Sequence, residues 1–226
     1  MSMNQEQWTA VDSYITDSLI PSDPALDGAL QASAAAGLPS IQVAPNQGKL
    51  LHLLVRIQGA RNILEIGTLG GYSTIWLARA LPAQGRLITL EADPKHAEVA
   101  RANIARAGLS DIVDLRLGKA LDTLPQIAAE DRAPFDLIFI DADKANIPEY
   151  FRWSLQLSHS GSVIIVDNVV RKGAVIEAES GDPDVQGVRR FNELLAMEPR
   201  VSATTIQTVG SKGYDGFTLA LVITGQ

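Results

Sequence analysis

Apolar residues follow two rhythms along this chain. Short runs of apolar and β-prone residues recur at 62–66, 86–91, 112–117, 135–140, 162–166, 202–208 and 217–223, with the length and make-up of strands. Between them, 72–81, 94–107, 120–128, 147–157 and 185–197 place apolar residues three and four apart, so each presents one apolar face as a helix. Pro94 just inside the second of these and Gly108 just after it are start and stop signals for a helix. Strands that alternate with helices predict a parallel sheet covered on both faces. Only the Gly/Lys-rich stretch 210–216 separates the last two strands, so they are expected to form an antiparallel hairpin at one edge. The fold expected is therefore α/β, a doubly wound, seven-stranded, mostly parallel sheet with an antiparallel last strand. Residues 1–60 also read as helical, broken at 21–23 and 37–45, and are too short and alanine-rich to bury a core of their own. These N-terminal helices are expected to serve as a lid or as the contact of a homodimer, in one unit 1–226 whose sheet core spans 61–226.

Composition narrows the function classes. At 226 residues and 46% hydrophobic, the chain can bury one substantial core. Its net charge of −7 argues against a nucleic-acid partner, because such surfaces gather Lys and Arg to neutralise phosphates. With no cysteine, neither a disulfide nor a thiolate metal site can form, and a metal would need oxygen ligands or the three histidines. His52 and His96 fall in helical stretches and His159 follows one, with no two clustered, so oxygen is favoured and with it a hard cation. The first twenty residues carry Glu6, Asp12 and Asp17 among apolar ones and lack a basic start, unlike a signal peptide. No apolar run has the length of a membrane span, so the expected location is the cytoplasm, without a membrane partner.

Candidate chemistry lies at strand ends. Glu65-Ile66-Gly67-Thr68-Leu69-Gly70-Gly71-Tyr72-Ser73 passes from a strand directly into a helix, and its glycines let the backbone turn tightly against a ligand. The spacing is not the G-x-G-x-x-G of a dinucleotide site, and an acid precedes the first glycine. That weighs against a nicotinamide-dependent oxidoreductase and favours a cofactor with a cationic, amine-bearing part. Glu91 ends the next strand, where a carboxylate hydrogen-bonds ribose hydroxyls in such folds. S-adenosylmethionine meets both requirements. A glycine cluster alone also suits a plain strand-to-helix turn; Glu91 shifts the reading to cofactor binding.

Two further strands end in Asp141-Ala142-Asp143-Lys144 and in Asp167-Asn168. If adjacent and parallel, they bring two carboxylates and a carboxamide to one carboxyl edge, an oxygen-only set suited to Mg²⁺, with positions left for two neighbouring hydroxyls of a substrate. Either pair alone is also common turn chemistry. Asp143 alternates away from Asp141 and reads as a solvated or helix-capping acid, while Lys144 is near enough to take a hydroxyl proton.

Glu65-Ile66-Gly67, Gly71-Tyr72-Ser73, Glu91-Ala92-Asp93-Pro94, Phe139-Ile140-Asp141-Ala142-Asp143-Lys144, Val166-Asp167-Asn168 and Asp215-Gly216 together resemble the cation-dependent class I O-methyltransferases, the group of catechol and caffeoyl-CoA O-methyltransferases and their bacterial relatives. The resemblance spans about 41–222 and implies a Rossmann-like methyltransferase sheet with a reversed last strand. It implies Asp141, Asp167 and Asn168 as ligands of Mg²⁺, or of Mn²⁺ or Ca²⁺, and Lys144 with Asp141 as the catalytic pair. It implies Glu65, Gly67, Tyr72 and Ser73 at the methionine part of S-adenosylmethionine and Glu91 at its ribose. Gly118 and Ala120 fall at its adenine and Val43 in a covering loop, with Asp141 also at the cofactor. The substrate implied is a small phenol with vicinal hydroxyls, of catechol, hydroxycinnamate or flavonoid type. No basic cluster near the N-terminus suits a CoA phosphate, and the polar stretch 171–187 is expected to be a substrate loop. A non-catalytic adenosylmethionine-binding protein would be expected to lack Lys144 or one of the three ligands, and all four are present.

Overall fold

Aspartate followed by proline starts three of the helices. The side chains of Asp23, Asp93 and Asp182 accept amide hydrogens of the first turn, and the proline after each occupies a position whose amide would have no partner. Each cap is worth about 1 kcal/mol. The computed structural model describes residues 4–130 and 132–224. Helices α1 (Gln5–Leu19), α2 (Pro24–Ala35) and α3 (Pro45–Gln58) come first. The alternating part follows as β1 (Asn62–Ile66), α4 (Tyr72–Ala80), β2 (Arg86–Glu91), α5 (Pro94–Arg106), β3 (Val113–Leu117), α6 (Ala120–Ala129), β4 (Phe135–Ile140), α7 (Ile147–Gln156) and β5 (Ser158–Asp167). Last come α8 (Pro183–Met197), β6 (Val201–Gly210) and β7 (Gly213–Val222).

The strands form one sheet in the order β3-β2-β1-β4-β5-β7-β6. The first five run parallel, and β7 is antiparallel to both β5 and β6. The order reverses between β1 and β4, and an open sheet wound in both directions leaves a crevice at that point. In β4 the period of two is complete. Leu137 and Phe139 pack with Ile63, Leu87, Ile75 and Val55 on one face, while Ile138 and Ile140 pack with Leu64, Ile88, Phe151 and Phe191 on the other. Leu26 and Ala29 of α2 and Leu51 and Val55 of α3 are buried in the first of these clusters, so the N-terminal helices share the core of the sheet.

Several boundaries depart from the sequence expectations. The expected 210–216 turn is a two-residue connection, Ser211-Lys212, because β6 and β7 stay paired out to Gly210 and Gly213. Gly210, Gly213 and Gly216 with the polar Lys212 and Asp215 made that stretch read as a turn. β5 starts at Ser158, before the apolar run that marked it, and α3 begins at Pro45 itself. The expected substrate loop 171–187 is not one loop. It opens with a short 3-10 turn, Arg171–Ile176, and its end belongs to α8. Gly187 presses that helix onto the chain near the sheet edge, where an added Cβ would lie 2.2 Å from the Lys144 carbonyl oxygen.

At the amino edge of the sheet, Asp136 accepts the amides of Arg61 and Asn62 and pairs with His159 at 2.9 Å. Burial opposes the Asp136 charge, but those hydrogen bonds outweigh it and hold the carboxyl below 3.8. The same bond to Asp136, helped by the Ser160 carbonyl, holds His159 above 6.5. The imidazolium's contribution is therefore complete below pH 6.5 and lost as pH rises through the raised value. His159 is 39% exposed, and solvent screening limits the pair to about 0.5 kcal/mol. In urea unfolding, His159→Ala is expected to cost about that much at pH 5.5 and less at pH 9. An equal cost at both pH values would mean that charge plays no part.

Candidate active site

A cleft of about 510 Å³ opens at the carboxyl ends of β1, β2 and β4, within the size range of small-molecule sites. Its floor is the turn from β1 into α4. Gly67 sits there at φ +102, and a Cβ on it would stand 2.2 Å from the Asp141 carbonyl oxygen. Only glycine lets the turn lie this close to the end of β4. The first turn of α4 adds Tyr72 and Ser73, the start of α6 adds Gly118 and Ala120, and Ile41, Gln42 and Val43 close the near side from the stretch before α3.

Glu91, at the end of β2, is 9% exposed and held by amides. Its Oε2 accepts from Leu69 at 2.8 Å and Thr68 at 3.3 Å, and its Oε1 accepts from Asp93 at 2.9 Å. A carboxylate fixed in this way keeps its remaining lone pairs aimed at a ligand, as ribose recognition needs. His96, from the first turn of α5, stands 3.6 Å from Glu91 and lines the same wall.

Glu65 departs from the expectation that it meets the cofactor directly. It is fully buried, does not line the cleft, and accepts hydroxyl hydrogens from Ser73 at 2.6 Å, Thr74 at 2.5 Å and Thr89 at 2.7 Å. Burial, with a smaller push from the Asp141 charge, raises its carboxyl to about 7 against those hydrogen bonds. Its effect on the cleft passes through Ser73, whose hydroxyl it fixes.

The acidic edge assembles as expected from β4 and β5, which are neighbours in parallel. Asp141, Lys144 and Asn168 line the cleft. Lys144 is 6% exposed, with its Nζ donating to Asp141 Oδ1 at 2.7 Å. Asp167 is set more deeply than the others: only 4% exposed, it lies off the cleft wall. Burial first, and then the charge of Asp141, push its carboxyl up to about 7, with Lys144 opposing. A buried carboxylate raised in this way beside a second carboxylate makes a place that a cation would relieve. Among the described residues no three or more His, Cys, Asp or Glu side chains gather closely enough to hold a metal; the candidate set is two carboxylates and the Asn168 carboxamide.

One member of this edge escaped the sequence reading. Gln47, in the first turn of α3, donates from Nε2 to Asp167 Oδ2 at 2.6 Å. It is 120 residues from its partner, and only the packing of α3 over the sheet brings the two together. Tyr150, Asp143, Arg171 and Asp184 form the outer side of the cleft. The Tyr150 hydroxyl donates to Asp143 Oδ1, and the Asn146 amide donates to Oδ2; Asp143 is exposed, as expected, and precedes the 3-10 turn 144–146 without capping it through its side chain. Tyr150 gave no signal because its place in the apolar pattern of α7 reads as core.

Comparison with known proteins follows the same lines. The profile of the O-methyltransferase family matches residues 20–223. The catechol O-methyltransferase of Niastella koreensis is 56% identical over 220 residues, 97% of this chain and all of that one. An O-methyltransferase from Bacillus cereus, solved in complex with SAH, superposes with a TM-score of 0.96 at 65% identity, covering 97% of this chain and 100% of that one. TomG from Streptomyces achromogenes, solved with SAM, gives 0.95 at 55% identity, covering 99% and 100%.

Proposed function

The chain belongs to the O-methyltransferase family, and on that premise we propose that it moves the methyl group of S-adenosylmethionine to one hydroxyl of an aromatic vicinal diol, at a divalent-cation site formed by Asp141, Asp167 and Asn168. The observation that carries this reading is a single cleft joining the glycine turn and Glu91 to the acidic edge. The catechol O-methyltransferase named among its relatives supports the choice of diol.

The donor chemistry fits both groups. Gly67 leaves room that any side chain would fill, Ser73 presents a fixed hydroxyl, and Glu91 can accept from two ribose hydroxyls. Val43 covers the cofactor and Ala120 meets its adenine side. Bound S-adenosylmethionine supplies an electrophilic methyl on a sulfonium. Asp141 and Asp167 carry the negative charge and Asn168 the neutral oxygen that a hard cation takes. A cation held by these three residues would orient the two diol oxygens and lower the pKa of one hydroxyl.

The protein's own part is orientation and proton removal. Lys144, nearly buried beside Asp141, is the group placed to take the hydroxyl proton. Tyr150 and Asp143 line the acceptor side and fix its shape through their mutual hydrogen bond. Holding oxygen and methyl in line supplies the rest of the rate.

The test is transfer from labelled S-adenosylmethionine to catechol, caffeate and a flavonoid diol, with Mg²⁺ or with EDTA. Transfer that requires Mg²⁺ is expected. Transfer indifferent to EDTA would remove the cation from the reading, and no transfer to any diol would remove the acceptor class.

A further inference from the structure

Arg171 combines three features that no role described so far explains. It is one of four non-glycine residues in the described chain with positive φ, at +55, a conformation that costs a side-chain-bearing residue about 1 kcal/mol or more. That backbone is pinned, since Asp215 Oδ1 accepts the amides of both Val170 and Arg171 at 3.0 Å. Three residues beyond Asn168, Arg171 lines the cleft. There its Nε is buried with no hydrogen-bond partner among the described residues. Its one ion pair is a long contact, 3.3 Å from Nη2 to Asp184 Oδ2, where charge-assisted bonds of this type run nearer 2.8 Å.

We propose that Arg171 selects an aromatic vicinal diol that also carries a carboxylate, binding that carboxylate while the two hydroxyls sit at Asp141, Asp167 and Asn168. The proposal rests on the methyl-transfer reading above and adds the charge of the acceptor. The chemistry on this side of the cleft favours an anion over an amine. Asp143 already receives two donors, Tyr150 and Asn146, and Asp184 already receives Arg171. What is short of partners is a donor: Arg171 holds only the long contact from Nη2 to Asp184, and a guanidinium so underpaired gains from an acceptor in the cleft. A guanidinium presents parallel N–H groups that match the two oxygens of a carboxylate, which a point charge does not.

The test compares 3,4-dihydroxybenzoate with its methyl ester as acceptors for the Mg²⁺-loaded enzyme. The ester withdraws electrons more strongly than the carboxylate, which makes its hydroxyls the more acidic and works against the expected preference, while only the acid carries the charge. In the wild type, KM for the acid is expected to be lower than for the ester by about tenfold or more. Arg171→Ala should bring that ratio close to one, and Arg171→Lys should restore part of it, because the charge remains and the fork does not. Because each variant is read as its own acid-to-ester ratio, a general loss of activity from a disturbed loop leaves the reading intact. A wild-type ratio near one, or a ratio that Arg171→Ala leaves unaltered, would overturn the assignment while methyl transfer stands. Failure to methylate catechol, acid and ester alike would instead overturn the methyl-transfer reading, and this assignment with it.

Discussion

With Asp167 replaced by alanine, methyl transfer to a catechol is expected to fall by about three orders of magnitude, equivalent to roughly 4 kcal/mol of transition-state stabilisation. The size follows from the position. Asp167 is nearly buried, and its carboxyl is pushed up to about 7 by burial and then by Asp141. It carries half of the negative charge available to a cation at this edge. Affinity for S-adenosylmethionine should change by no more than about threefold, because the groups at the glycine turn and Glu91 are untouched. Thermal stability should change little, since a charge buried at some cost is removed along with its hydrogen bonds to Gln47 and to the Asn168 amide. Single-turnover transfer and calorimetric titration of the cofactor separate these effects. Turnover close to the wild-type value would place the cation elsewhere or remove it.

Gly67→Ala is expected to act on stability and cofactor together. The residue's φ of +102 is strained for alanine, and the new methyl would meet the Asp141 carbonyl oxygen at 2.2 Å. The obstacle is backbone at the end of β4, which cannot rotate aside as a side chain can. A loss of about 3 kcal/mol follows, which for a chain of this size lowers the melting temperature by roughly 6–12 °C. The shift in melting temperature that S-adenosylmethionine produces in the wild type should largely vanish, because the cleft floor moves with the turn. A variant that melts within about 2 °C of the wild type would show that the turn can rearrange.

Much of this was legible in the order of the residues because local rules and global fold agree here. Strands buried on both faces write continuous apolar runs, and the residues that follow them, Gly67, Glu91, Asp141 and Asp167, are by topology the residues at one edge. What could not be read depends on contacts between distant segments. Gln47 meets Asp167 only because the fold brings the first turn of α3 to the end of β5. Glu65 reads as a strand-end acid near the cofactor, yet alternation turns its side chain into the layer beneath α4, where Ser73, Thr74 and Thr89 enclose it. Arg171 sat in a stretch whose polarity marked it as a loop, and polarity says nothing about a positive φ or about the Asp215 carboxylate that enforces it. The length of β6 and β7 was hidden for a simpler reason: Gly210, Gly213 and Gly216 with Ser211 and Lys212 read as a turn, yet 209–210 and 213–216 stay paired.

The position of β7 has a consequence for assembly during synthesis. It is the last strand of the sheet in sequence but not in space, for it lies between β5 and β6 and brings Asp215 to the amides of Val170, Arg171 and Gly216. A chain emerging from the ribosome can pair β1 through β5 and form the glycine turn with Glu91 while β7 is still inside the exit tunnel. The Arg171 backbone lacks the Asp215 carboxylate that pins its left-handed turn until β7 slots in beside β5. Cofactor recognition can thus precede acceptor recognition in the life of each molecule, and a chain stalled before Asp215 would be a binder of S-adenosylmethionine without the means to position what it methylates.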